Sequence, residues 1–215
     1  MHPSSPIVHI VDDDESFRTA VGRLLKGAGY EVRLHASVGD FVLASREDAP
    51  GCILLDVNLP GPSGLDLQAA FAGRNGLPSI VFITAFPEVS ATVRAMKGGA
   101  VDFLVKPVEP DTLLQVVGAA VERDAATRAI ASHTAMLGAL YDTLSARERE
   151  VFARLVAGKL NKQIAAELGA AERTIKAHRA KVLAKMRVGS IAELARTASE
   201  LGIVPPTSAR EHTKR

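Results

Sequence analysis

The chain has 215 residues, room for one large domain or two small ones, and its 47% hydrophobic and 23% charged content is that of an ordinary globular protein. No apolar run reaches the ~20 residues of a membrane helix, the start Met1-His2-Pro3-Ser4-Ser5-Pro6 lacks a signal-peptide pattern, and one cysteine excludes an intramolecular disulfide, so a cytoplasmic protein is expected. The net charge of +2 hides a split: residues 1–120 carry 9 Lys+Arg against 14 Asp+Glu, net −5, and residues 121–215 carry 17 against 10, net +7. Such a split suits one half to a cation and the other to a polyanion.

The first half alternates short apolar runs with helical patterns. Ile7–Val11 reads as a strand, followed by Asp12, Asp13, Asp14 and Glu15 and then a helix with Phe17, Val21, Leu24 and Leu25, ended by Gly27 and Gly29. A second strand near Tyr30–His35 leads to a helix carrying Phe41, Val42 and Leu43. The strand Cys52–Leu55 precedes Asp56, and Gly61-Pro62-Ser63-Gly64 is a loop capping a helix with Leu65, Leu67 and Phe71. Ser79–Ile83 precedes Thr84, a helix spans Val89–Met96, Val101–Val105 precedes Lys106-Pro107, and a fifth helix covers Leu113–Val121. Five strand–helix units in this order predict a doubly wound parallel sheet of order 2-1-3-4-5.

In such a sheet ligands bind at the carboxyl ends of the strands. Asp12, Asp13, Asp56, Thr84 and Lys106 should therefore meet on one rim, although almost a hundred residues separate the first from the last. Carboxylates so close repel unless a cation sits among them. Few protein oxygens with room for water and phosphate oxygens suit Mg²⁺. Lys106 and Thr84 then hold the oxygens of a phosphoryl group delivered to Asp56.

The second half is all helical pattern. Glu122–Arg128 is polar and helix-favouring, and a linker extending the fifth helix toward Met136 or Leu140 is expected. Ser145-Ala146-Arg147-Glu148 is a capping box, opening a helix with Val151, Leu155 and Val156 that stops at Gly158. A short helix from Asn161 turns at Gly169 into a long one from about Ala171 to Met186, and Ser190-Ile191-Ala192-Glu193 reads as a second capping box. Two helices around a tight glycine turn, the second basic, form a helix-turn-helix pattern. On the long helix Ile175, Val182 and Met186 share one face, and Arg173, Ala177, Ala180 and Ala184 the opposite one, flanked by Lys176 and Lys181. Six cations against one acid lie between Ala171 and Arg187.

The stretches Leu54–Gly61 and Gly99–Pro107, with the five functional groups in register, resemble the receiver domain of two-component response regulators over about the first 120 residues. Leu144–Val151, Gly158, Asn161–Ala165 and Arg173–Arg179 resemble the LuxR-type output domain, and the whole layout resembles the FixJ/NarL class, closer to its FixJ branch. The resemblance implies residues 1–121 as phospho-acceptor receiver and 143–204 as a four-helix DNA-binding domain; between them 122–142 reads as the linker, and the prolines and polar residues of 205–215 predict a disordered tail. It implies Mg²⁺ or Mn²⁺ held by Asp13, Asp12, Asp56 and the backbone carbonyl of Asn58, with Asp13 the chief ligand. Phe103 is implied as the switch aromatic, and Val93, Lys97 and Phe103 as part of a dimer face formed on phosphorylation. On the DNA side it implies Lys176 and Ala177 facing bases, with Arg173, Ala180, Lys181, Arg179 and Lys162 around them. The implied partners are a sensor histidine kinase, promoter duplex DNA, a second copy of the chain and RNA polymerase. The expected function is transcription control, with no enzymatic activity beyond self-phosphorylation and slow autodephosphorylation.

The chain departs from the resemblance where the long helix starts: Gly169-Ala170-Ala171-Glu172 has no serine N-cap, which typically costs about 1 kcal/mol. Two rival functions stay open at this point. An aspartyl-phosphate hydrolase of the haloacid dehalogenase type would want Asp-x-Asp, where Asp56-Val57-Asn58 stands. A receiver acting by protein contact alone would leave the basic half to bind RNA or protein. Among lone residues, Asp12 and Asp13 could simply cap the first helix, Cys52 reads as a small core residue, His9 as a packed or edge histidine and His178 as a core one. Phe86 reads equally as a loop residue or as crowding the pocket entrance.

Overall fold

The computed structural model describes residues 5–44, 49–72 and 78–203. The tail expected over 205–215 lies outside the described residues. The chain divides into two compact units, Met1–Ala129 and Ile130–Arg215.

The first unit is a five-stranded, all-parallel sheet of order β2-β1-β3-β4-β5, the order expected from the sequence. Its strands are β1 (Ile7–Val11), β2 (Glu31–His35), β3 (Gly51–Asp56), β4 (Ser79–Thr84) and β5 (Asp102–Val105). Between them run α1 (Glu15–Gly27), α2 (Val38–Leu43), α3 (Gly64–Phe71) and α4 (Val89–Lys97), and α5 (Pro110–Asp142) follows β5. Alternate side chains of each strand feed two separate cores. Val8, Ile10, Cys52, Leu54, Val81 and Ile83 pack with α1 and α5, whereas Val11, Ile53, Leu55 and Phe82 pack with α2, α3 and α4. All six residues of β3 are buried, which is why its sequence shows no polar alternation. The Cys52 thiol lies in this core, and burial pushes its pKa up to about 12, so it stays protonated and unreactive.

Helix α2 differs from its apolar pattern. Its six residues overlie the edge of the sheet, so only Val38 and Phe41 are covered, and Val42 and Leu43 are exposed. Helix α5 continues past the sheet as one 33-residue helix. On its polar stretch the buried Asp124 accepts the Gly51 N–H at 2.9 Å and the Arg128 Nε–H at 2.7 Å. This ties residues beyond the fifth helix's apolar part to the amino end of β3.

The second unit contains α6 (Ala146–Val156), α7 (Asn161–Glu167), α8 (Glu172–Lys185) and α9 (Ile191–Glu200) around Val151, Phe152, Leu155, Ile164, Ile175, Val182 and Leu194. The Ser145–Glu148 capping box forms reciprocally. The Ser190 box forms only in half: Ser190 Oγ accepts the Glu193 N–H, but the Glu193 carboxylate takes the Gly189 N–H instead of that of Ser190. The preceding glycine amide lies within the same reach and wins the carboxylate. Glu148 carries a second load, accepting from Lys185 Nζ at 2.6 Å. That hydrogen bond, with the Ser145 N–H, draws its carboxyl from 4.5 down to about 2. A carboxyl depressed on folding stabilises above its unfolded pKa and loses that contribution as pH falls through the folded value. We therefore expect the urea midpoint of this unit to drop between pH 4.5 and about 2, and Glu148→Gln to lower it at pH 7 and flatten that drop; hydrogen exchange of α6 and α8 in the full chain reads both. Among the described residues no helix is long and apolar enough to cross a membrane.

Candidate functional site

The strand registers set the first site. Val11 pairs with Leu55, Asp56 with Ile83 and Thr84 with Val105, so the carboxyl ends of β1, β3, β4 and β5 finish within about one residue of each other. The residues just at or beyond those ends converge accordingly. Lys106 Nζ donates to Asp12 Oδ2 at 2.6 Å and to Asp56 Oδ2 at 2.8 Å. The carboxylates of Asp12, Asp13 and Asp56 all offer oxygens within 4.8 Å of one another. Asp12 and Asp56 are buried and Asp13 is exposed. Asp14 caps α1 through the Ser16 and Phe17 amides, which frees Asp12 and Asp13 from that role. Three hard oxygen donors, too few to enclose an ion, fit a divalent cation that retains water.

The two buried carboxylates are each held on their other side by backbone. Asp12 Oδ1 accepts the Asp14 N–H at 3.0 Å, and Asp56 Oδ1 accepts the Asn58 N–H at 2.9 Å. Gly64 makes the loop after β3 possible, since a Cβ there would lie 2.4 Å from the Asp56 carbonyl oxygen. Burial pushes the Asp12 carboxyl above its ordinary value, against the opposing pull of Lys106. Burial alone would lower the Lys106 ammonium, but its bonds to Asp12 and Asp56 outweigh that and raise its pKa, so it stays charged. The Phe17 ring lies 4.2 Å from Nζ and walls that cation on one side. Thr84 is fully buried; its Oγ1 accepts from the Phe86 N–H at 3.2 Å and from Asn58 Nδ2 at 3.3 Å. The Asn58 side chain thus touches Thr84, a role its sequence position did not suggest. Phe86 itself is 76% exposed.

In the second unit α8 buries Ile175, Val182 and Met186 and exposes Arg173, Lys176, Ala177, Ala180, Lys181 and Ala184, the division its periodicity predicts. Lys162 at the start of α7 is also exposed. Arg179, expected among the DNA residues, is half-buried, because it stands only about 40° from Ile175 around the helix. Ala171 caps α8 without a side-chain hydrogen bond; its carbonyl accepts from Thr174 and Ile175 instead. Seven of the unit's twelve described lysines and arginines pair with acids. Lys162, Arg173, Arg179, Lys181 and Arg187 have no acidic partner among the described residues, and four of these five lie on α8 or its end.

Residues 8–118 match the response regulator receiver domain family, and residues 142–198 match the bacterial regulatory proteins of the luxR family. The chain is a response regulator. It is 45% identical to Nodulation protein W of Bradyrhizobium diazoefficiens, over 92% of this chain and 87% of that protein. With the transcriptional regulatory protein FixJ of Azorhizobium caulinodans the identity is 37%, over 96% and 98%. Its fold is similar to that of the response regulator StyR, with a TM-score of 0.83 and 38% identity over 92% of this chain and all of StyR. Full-length FixJ from B. japonicum matches with a TM-score of 0.54 and 35% identity, over 93% and 98%. This response regulator therefore joins a receiver to a LuxR-type DNA-binding domain, and it is a transcription regulator of the FixJ/NarL class, near FixJ.

On the response regulator's receiver, Val93 is 45% exposed on α4 and Lys97 is exposed at its end. Phe103 is half-buried on β5, 6.2 Å from the Phe82 ring. Val89, Met96 and Val105 add exposed apolar surface to the same elements. His9 and His35, on adjacent strands, share a hydrogen bond at 3.1 Å and stack beside Phe41. Burial holds the His35 imidazole below its ordinary value.

Proposed function

We propose that Asp56 accepts a phosphoryl group from the phosphohistidine of a sensor kinase or from a small acyl phosphate, and that the phosphorylated chain dimerises and binds promoter DNA. The observation that carries this reading is Lys106 Nζ between Asp12 and Asp56, with the three carboxylates within 4.8 Å. A carboxylate oxygen of Asp56 bonds to phosphorus while the P–N bond of the phosphohistidine breaks, its electron pair returning to the imidazole. Asp12, Asp13, Asp56 and the Asn58 carbonyl would hold Mg²⁺ or Mn²⁺, which when bound neutralises charge on the phosphoryl oxygens. Lys106 keeps its proton and turns from Asp56 to a phosphoryl oxygen. An open apolar cleft of about 610 Å³ beside Lys106, lined by Phe17, Leu24, Pro107 and Val108 among others, gives a donor protein a surface on which to seat.

Thr84 links this chemistry to the surface. Its hydroxyl exchanges Asn58 and the Phe86 amide for a phosphoryl oxygen, and Phe103 turns into the space that opens. The face of α4, β5 and the start of α5, with Val93, Lys97 and Phe103, then pairs with a second copy, a two-state element biased by a local charge. The paired DNA-binding domains hold a promoter duplex and offer RNA polymerase a contact. Slow hydrolysis of the acyl phosphate resets the chain, which works in the cytoplasm. Light scattering on the full chain with acetyl phosphate and Mg²⁺ is expected to move the mass from 22.7 kDa toward twice that value. An unchanged mass over a wide concentration range overturns the dimerisation step.

A further inference from the structure

We propose that Arg187, at the end of α8, is a DNA-phosphate contact retained at a backbone position that favours glycine. The proposal rests on the DNA-binding reading above. Among the described residues six helices close with the amide two residues past the last turn reaching back five positions: Tyr30 to Leu25, Ala100 to Ala95, Lys159 to Arg154, Ala170 to Ala165, Val188 to Leu183 and Ile203 to Ala198. That closure requires a left-handed residue just before the donor, where a Cβ crowds the following carbonyl. In five of the six helices the residue is glycine, at Gly29, Gly99, Gly158, Gly169 and Gly202. In α8 it is Arg187, with φ 55°, the one positive-φ residue other than glycine among those described.

Nothing in the fold rewards the arginine. Arg187 is exposed; its N–H closes the helix on the Ala184 carbonyl at 3.2 Å, but its side chain has no ion pair, hydrogen bond or ring contact among the described residues. A strained residue with no local compensation points to a role outside the chain. Its chemistry says which kind: it belongs with the five unpaired cations, and it extends the α8 row of Arg173 and Lys181 by some six residues, so the row covers about 20 Å of helix rise. A duplex presents one phosphate charge per ~1.7 Å of its axis, so a cation at that end of α8 meets phosphate when the helix lies in a groove. Arginine's fork suits phosphate oxygens, and a residue outside the helical turn has no fixed register on base edges.

The test compares full-length parent, Arg187→Gly and Arg187→Lys for thermal stability and for binding to mixed-sequence duplex DNA across a salt series. Glycine relieves the strain, so Arg187→Gly should raise the melting temperature by a few degrees and cannot lose binding through misfolding. Its affinity should fall roughly eightfold at 0.1 M salt and its log–log salt slope by about one, equally for all sequences, as expected for one lost counterion release. Arg187→Lys should keep the parent's slope and melting temperature. An Arg187→Gly chain that melts higher yet binds with the parent's affinity and slope overturns the proposal. So does one that melts no higher, since the strain would then be absent. If the parent itself shows no salt-dependent duplex binding, the DNA reading fails first and this contact falls with it.

Discussion

Asp56→Asn is expected to abolish phosphate incorporation from acetyl phosphate in the presence of Mg²⁺, from as much as one group per chain to none. The carboxamide has nearly the carboxylate's shape, so the Asn58 N–H keeps an acceptor and the buried rim keeps its packing. What disappears is the nucleophilic oxygen and one of three negative charges. Lys106 still pairs with Asp12 at 2.6 Å, so the variant leaves no uncompensated buried ammonium. Labelling with radioactive phosphate, followed by acid and hydroxylamine treatment to identify an acyl phosphate, reads the outcome. Chelating the divalent cation from the parent should give the same loss. Full labelling of Asp56→Asn would show that another group is the acceptor and sink the assignment.

The parts legible in the sequence are those governed by one-dimensional periodicity. β1, β3 and β4 are buried on both faces, so their β-branched runs needed no partner to be recognised, and the functional group at each carboxyl end followed from the sheet's geometry. Ile175, Val182 and Met186 were equally plain, since a helix face repeats every 3.6 residues. Contacts that depend on which remote segments meet were not legible. Asp124 read as part of a polar linker, yet it is buried because the Gly51 amide needs an acceptor at the foot of β3. The His9–His35 pair joins strands by a register the sequence does not print. Asn58 reaches Thr84 only because β3 and β4 are neighbours. The half-formed Ser190 box shows a motif overridden by a nearer amide, that of Gly189. In the sequence Arg187 is only one of six cations, because a left-handed φ at a non-glycine residue leaves no mark in composition.

Ala180→Leu is expected to remove duplex binding almost entirely while leaving the domain folded. Ala180 is exposed at the middle of the α8 face opposite Ile175, and leucine is a good helix former, so no core contact is disturbed. A small outer face lets the helix backbone approach base edges closely, whereas three added carbons at its centre hold the whole helix out of the groove. Removing single cations gives the graded counterpart. Lys176 pairs with Glu172 at 3.5 Å, but both are well exposed and such a pair contributes less than about 1 kcal/mol, so it yields readily to DNA. Lys176→Ala or Arg173→Ala should weaken binding by about 1–3 kcal/mol and relax preference at one base if the side chain reads a base edge. A phosphate contact would instead weaken all sequences alike and lower the salt slope by about one. Two copies of α8 in a dimer predict half-sites about one helical turn apart, as an imperfect palindrome, which selection from random duplexes would reveal. If Ala180→Leu and Lys176→Ala both bind duplex DNA like the parent, α8 is not the reading helix, and the unpaired cations of this unit must serve a protein or RNA partner.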